Sequence, residues 1–268
     1  MNEIELLFTE LLNCNRLDLY LNEGLRLDRD KSGLISSVLK RRISGEPIQY
    51  ILGKTEFMGL EFRLNRDVFI PRPETEILVE TAIKMVHGSR FMVHGILDLC
   101  TGSGCIAVSL VKFIKNVRVT ATDISNEALE IAKQNALLNN VEVNFLQSNL
   151  FVNHELRTMN YELIISNPPY VPTTEIANLQ LEIRYEPRIA IDGGKDGLGF
   201  YRKIINQSPY YLKEGGFLIM EMGFNQKEAI KNIFQNSGNF QIIEIIKDYN
   251  NIDRVIVARL NKQDAQVF

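Results

Sequence analysis

From Pro71-Arg72-Pro73 onward, short apolar runs alternate with helical stretches, and few folds can absorb that order. Seven candidate strands follow, at residues 96–100, 117–123, 141–147 and 161–166, then at 217–222, 240–247 and 254–260. Short apolar strands separated by helices need cover on both faces, so the pattern predicts an α/β domain built on a mainly parallel sheet. The last two strands are joined only by Asp248-Tyr249-Asn250-Asn251-Ile252-Asp253. That link is too short for a crossover helix, so the pair is expected to be antiparallel. A parallel sheet that closes on one antiparallel hairpin departs from the plain dinucleotide-binding fold.

Ahead of the sheet, Ile4, Leu7, Phe8, Leu11 and Leu12 recur with the period of an amphipathic helix. Leu34, Ile35, Val38 and Leu39 make a second apolar stripe that ends before Gly45-Glu46-Pro47. Residues 56–69 then alternate around Met58-Gly59 like a hairpin. The expected division is a small helical domain with a hairpin connector at residues 1–70 and the α/β domain at 71–268.

Composition removes several classes of function. With 45% hydrophobic and 24% charged residues the chain reads as globular, and no apolar run approaches the roughly 20 residues of a membrane span. The acidic start Met1-Asn2-Glu3-Ile4-Glu5 lacks the cationic region of a secretory signal, which reads as cytoplasmic. Cys14, Cys100 and Cys105 show no paired ligand spacing, and neither do His87, His94 and His154, so no metal site or disulfide framework is expected. The net charge is −3, and residues 1–70 hold 10 Lys and Arg against 11 Asp and Glu. No basic arm stands out for nucleic acid.

Two segments carry chemistry. Residues 96–107 run from a strand through Cys100-Thr101-Gly102-Ser103-Gly104 into a helix, a turn that brings backbone N–H groups close to a ligand. Asp123 follows Gly104 by 19 residues, at a strand end where a carboxylate can accept both hydroxyls of an adenosine ribose. Asn149-Leu150, after the third strand, would border the adenine. Taken alone, the glycines would equally permit a tight turn, Asp123 could cap the helix near Ser125, and nicotinamide dinucleotides use similar geometry.

The second segment is Asn167-Pro168-Pro169-Tyr170, delivered by the strand 161–166 to its carboxyl end. A planar amide or amino nitrogen is a poor nucleophile, so it must be held with its lone pair aimed at an electrophilic methyl. The Asn167 side-chain oxygen and the Pro168 carbonyl can accept its two N–H bonds. The proline pair stiffens both acceptors, and Tyr170 can stack on the flat substrate.

With these strings in place, the sequence resembles the release-factor glutamine methyltransferases, the PrmC or HemK family. Gly45 to Gly53 and Glu56 to Gly59 look like its connector, and Ile70-Pro71-Arg72-Pro73-Glu74-Thr75-Glu76 like its entry into the catalytic domain. Asp98 to Gly104, Ser166 to Tyr170, Tyr185-Glu186-Pro187-Arg188 and Gly193 to Leu198 match further segments.

The resemblance implies a seven-stranded, Rossmann-like methyltransferase sheet using S-adenosylmethionine, and an amino-terminal helical domain that docks the substrate. It implies a translation release factor as that substrate, methylated on the glutamine N5 of its Gly-Gly-Gln loop. By the same likeness Cys100, Thr101, Gly102, Ser103 and Gly104 hold the methionine part of the cofactor. Asp123 holds the ribose, Asn149 and Leu150 border the adenine, and Asn167, Pro168, Pro169 and Tyr170 bind the glutamine. Cys100 stands where many relatives have glycine, and Asn149 where they often have aspartate. Arg72, Glu74 and Glu76 match the family string, yet Pro73 with two acidic residues would also simply open a helix. Tyr185 to Arg188 would pack over the substrate or form a solvated turn. The competing function is an adenine-N6 methyltransferase acting on DNA or RNA, because the same four residues suit an exocyclic amine.

Overall fold

The computed structural model describes residues 3–21, 29–88 and 93–262. Four helices open the chain, α1 (Glu3–Leu12), α2 (Arg16–Leu21), α3 (Arg29–Ile43) and α4 (Ile48–Leu52). A hairpin of β1 (Lys54–Phe57) and β2 (Leu60–Arg63) follows. Its two turn residues, Met58 and Gly59, have φ of 53° and 71°, which matches the right-handed twist of the flanking strands. The hairpin covers 54–63 and stops short of the expected Phe69.

The second apolar stripe is corrected as well. Ile35 and Val38 are buried, but Leu34 and Leu39 are 49% and 39% exposed. The core beneath them is small, centred on Leu7, Val38 and Ile48, and does not reach the outer pair.

Next come α5 (Pro73–Gly88), β3 (Gly95–Leu99), α6 (Cys105–Phe113), β4 (Arg118–Asp123), α7 (Asn126–Leu138) and β5 (Asn144–Gln147). The chain continues with β6 (Tyr161–Ser166), α8 (Gly199–Gln207), β7 (Leu212–Glu221), α9 (Lys227–Ser237), β8 (Phe240–Lys247) and β9 (Asp253–Leu260). The seven strands β3 to β9 form one sheet in the order β5-β4-β3-β6-β7-β9-β8. β3 to β7 pair in parallel, and β9 runs antiparallel to both β7 and β8, as the short link required.

Two expected strands differ in extent. β5 starts at Asn144 because the Val141 amide donates to the Ala136 carbonyl at the end of α7, so pairing with β4 begins three residues later. β7 starts at Leu212, which pairs with Tyr161 ahead of a bulge.

Alternation along the strands fills two cores. Ile96, Leu163 and Ile165 pack on one face with Leu78, Ile106 and Leu110, while Leu97, Leu99 and Ile164 pack on the other with Tyr201, Ile204 and Phe234. The chain winds from β3 toward β4 on one side and later places β6 on the other. Strand order therefore reverses at β3, and the crevice of an open α/β sheet lies at that point, above the carboxyl ends.

Candidate active site

Register sets the height at which each loop leaves the sheet: Leu99 pairs with Thr122 on one side and with Ser166 on the other. The Ser166 hydroxyl donates to the Leu99 carbonyl at 2.7 Å, binding the two ends together. Beyond Leu99 the chain takes three left-handed residues in five, Cys100, Gly102 and Gly104, with φ of 62°, 54° and 80°. That explains the departure at Cys100, since the backbone there suits glycine and the side chain is tolerated. Burial pushes its thiol well above the ordinary range, which keeps it protonated.

The two glycines serve different ends. A Cβ on Gly102 would meet no protein atom and would point into open space at the cavity wall. A Cβ on Gly104 would lie 2.9 Å from that of Ala132 on α7, and Gly104 stands behind the cavity wall, closing the helix packing.

The Thr101 amide donates to the Thr122 carbonyl at 2.9 Å, and the Gly102 amide to Asp123 Oδ2 at 2.9 Å. The other oxygen, Oδ1, accepts the Ser125 amide at 3.0 Å. Ser125 itself caps α7, accepting the Ala128 amide, so Asp123 is not the helix cap. The carboxylate as a whole keeps acceptor capacity for a ligand hydroxyl beside these backbone donors, to which Ile124 adds its own pull. Burial raises the Asp123 pKa against the pull of its backbone donors. Behind it, Asp98 is fully buried, accepts the Thr101 hydroxyl at 2.5 Å and is pushed up to about 7 by burial.

The Asn167 Nδ2 donates to Thr75 Oγ1 at 3.1 Å, and Thr75 donates to Glu221 Oε2 at 2.7 Å. Among the described residues, neither Asn167 Oδ1 nor the Pro168 carbonyl accepts a hydrogen bond. Two acceptors on one rigid turn are thus left for a ligand. Tyr170 is fixed from behind. A Cβ at Gly193 would come within 2.7 Å of the Tyr170 Cα, one at Gly197 within 2.3 Å of its carbonyl and one at Gly223 within 2.8 Å of its ring. Gln226 Nε2 donates to that carbonyl at 2.8 Å.

Both segments face one cavity of about 420 Å³, within the range of small-molecule sites. Cys100, Thr101, Gly102, Ser103, Asp123, Asn149, Leu150, Asn167, Pro168, Pro169 and Tyr170 all line it. Sequence reading missed Thr75, Phe200 and Lys203, which line the same cavity from α5 and α8, and Glu221, Gln226 and Arg254 behind it. Thr75 stands inside the Ile70 to Glu76 string without any signal of a role there, and no local motif marks the others. His87, His94 and His154 lie outside the wall.

The remaining family strings act as struts, and Pro71 and Arg72 among them also line the cavity. Glu76 accepts the Met58 amide at 2.6 Å, tying the hairpin turn to α5, in whose first turn both Glu74 and Glu76 sit. Arg72 pairs with the buried Glu186, which also accepts the Ile70 amide at 3.2 Å. Tyr185 donates to the Ser44 carbonyl at 2.9 Å, and Arg42 pairs with Glu182. The stretch 185–188 is therefore an anchor whose next residues, Ile189 and Ile191, border the cavity.

This sheet order, with a glycine crease and an Asn-Pro-Pro-Tyr turn on adjacent strand ends, defines a Rossmann-like methyltransferase. Residues 74–183 match the Methyltransferase small domain and residues 1–53 the PrmC N-terminal domain. The chain belongs to the release factor glutamine methyltransferase family. The release factor glutamine methyltransferase of Thermodesulfovibrio yellowstonii is 39% identical over 98% of this chain and 93% of its own length. That of Geobacter sulfurreducens is 39% identical over 96% and 89%. A crystal structure of a methyltransferase from Pyrococcus furiosus, 19% identical, gives a TM-score of 0.56 over 87% of this chain and 100% of that one, a likeness of fold. No helix among the described residues is long and apolar enough to cross a membrane.

Proposed function

We propose that this enzyme transfers the methyl group of S-adenosylmethionine to the side-chain amide nitrogen of the glutamine in the Gly-Gly-Gln motif of translation release factors. The observation that carries this reading is the single cavity in which the Asp123 carboxylate and the free acceptors on Asn167 and Pro168 meet. The residues suit the cofactor: Gly102 leaves space without a Cβ, and Asp123 offers two oxygens to a ribose. Asn149 and Leu150 would border the adenine, and Cys100 to Ser103, which line the same cavity, would hold the methionine part by backbone. When bound, S-adenosylmethionine supplies an electrophilic methyl on a sulfonium sulfur.

The protein contributes orientation and charge. Asn167 Oδ1 and the Pro168 carbonyl accept the two N–H bonds of the substrate NH2, leaving its lone pair directed at the methyl. Positive charge grows on that nitrogen as it attacks, so two fixed carbonyl dipoles hold it more tightly in the transition state than before. Tyr170 covers the flat amide and excludes water. Once methylated, the nitrogen is strongly acidic, and its extra proton passes to solvent. We assign residues 1–70 to docking of the release factor, and 71–268 to the transfer itself.

The test is to incubate the protein with labelled methyl donor and, separately, a release factor, duplex DNA or RNA. Label is expected on the factor's glutamine, with a loss of roughly a hundredfold or more in Asn167→Ala, which removes one orienting acceptor. Label on nucleic acid alone would overturn the assignment in favour of an adenine-N6 reaction.

A further inference from the structure

An asparagine amide can present either its oxygen or its nitrogen to a substrate, and only the oxygen can accept from a substrate NH2. Something must hold Asn167 the right way round. We propose that Thr75 and Glu221 are positioning residues that lock the Asn167 side chain with Oδ1 toward the cavity. The inference rests on the reaction proposed above and extends it to Glu221, which no motif contains, and to Thr75, whose string assigns it no role.

The reasoning is a count of hydrogens. The Thr75 hydroxyl has one, and it goes to Glu221 Oε2 at 2.7 Å. Its contact with Asn167 at 3.1 Å then needs a donor from the asparagine, and only Nδ2 can supply one. Glu221 also lies close enough to the Asn167 side chain for the amide to favour its charged form, which again sets the nitrogen on that side and leaves the oxygen for the substrate.

Three elements converge to make the arrangement. Thr75 sits in the first turn of α5, Glu221 ends β7, and Asn167 follows β6, whose Ser166 pairs with Met220. Thr75 and Glu221 are 2% and 1% exposed, so water does not compete for the bonds. The charged and titratable groups facing Glu221 are Arg254 on β9, Glu74 on α5, Tyr170 beyond β6, Cys105 on α6 and Tyr201 on α8. Arg254 is already paired with Asp248 and leaves the carboxylate to the relay.

The direction of the relay depends on an acceptor at its end. A protonated Glu221 can donate to Thr75, which then turns its hydrogen toward Asn167 and favours the flipped amide. Burial raises this carboxyl to about 7, with Glu74 adding to the shift and Arg254 opposing it, so the reversal lies within reach of ordinary buffers.

The experiment measures kcat, the KM for a release factor and the dissociation constant of S-adenosylmethionine. It compares the full chain with Thr75→Val, Thr75→Ser and Glu221→Gln across pH 5.5 to 9. Thr75→Val keeps the shape but removes the hydroxyl, and is expected to lower kcat roughly 10- to 100-fold while cofactor binding stays as in the wild type. Thr75→Ser restores most of the rate. The acid limb of the wild-type kcat profile disappears in Glu221→Gln. A Thr75→Val enzyme as fast as wild type overturns the inference, as does Thr75→Ser as slow as Thr75→Val, or an acid limb that persists in Glu221→Gln. A wild type that puts no label on any release factor overturns the proposed reaction and the relay with it, whereas an active wild type with an indifferent Thr75→Val sinks the relay alone.

Discussion

Asp123 reaches back across the sheet to the Gly102 amide, 2.9 Å from its Oδ2, so the carboxylate that faces the cavity also shapes the crease beside it. Asp123→Ala removes both roles. Hydrogen bonds to a charged group contribute about 2 kcal/mol, so S-adenosylmethionine should bind roughly thirtyfold more weakly. Calorimetric titration checks this; an unchanged dissociation constant would show that the ribose lies elsewhere.

Gly104 answers to packing and not to the ligand. In Gly104→Ala the new Cβ meets Ala132 at 2.9 Å in a backbone with φ of 80°. The expected cost is about 2 kcal/mol, a fall of roughly 4–8 °C in Tm. Gly102→Ala, whose Cβ meets no protein atom, should melt closer to the wild type but lose cofactor affinity. Paired thermal melts and titrations separate the two, and equal melting of both variants would contradict the division of labour.

Glu221 should leave a signature in stability as a function of pH. Its folded pKa, about 7 through burial, lies above the ordinary 4.5. The stability it contributes is therefore fully present below about 4.5 and is lost as pH rises through about 7, because the folded state holds the proton longer. Glu221→Gln carries no such charge, so its Tm should fall less than that of the wild type between pH 5 and 8.5. Parallel slopes for the two proteins would count against the assignment.

Gln226 spans three backbone groups, donating to the Tyr170 carbonyl at 2.8 Å and the Gly197 carbonyl at 3.4 Å and accepting the Gly223 amide at 3.1 Å. Gln226→Ala frees the turn behind Tyr170 and should lower kcat roughly tenfold with cofactor affinity intact. Gln226→Glu should be worse, since a carboxylate oxygen would then face a carbonyl. Steady-state rates at saturating methyl donor test the ranking.

Much of this was legible in the sequence because it is local. Periodicity located all seven strands, the six residues 248–253 dictated the antiparallel pair, and Gly102 and Asn167 sit in strings whose order carries their meaning. What escaped is what the fold assembles from afar. Thr75 lies 92 residues from Asn167 and 146 from Glu221, and none of the three intervals has a period. Arg72 and Glu186, 114 residues apart, likewise sit in two strings that nothing in the sequence connects until the fold pairs them. Boundaries failed where a helix end claimed residues from the next strand, as at Val141, whose amide closes the C-terminal turn of α7 on Ala136.

The pairing of Leu99 with Ser166 has a wider result. Neighbouring strands stand about 4.8 Å apart, and here one of them launches the glycine crease and the other the Asn-Pro-Pro-Tyr turn. The separation of crease and turn is thus ruled by main-chain spacing, which no side-chain replacement alters. Evolution could exchange the molecule presented at Asn167 while inheriting that separation unchanged.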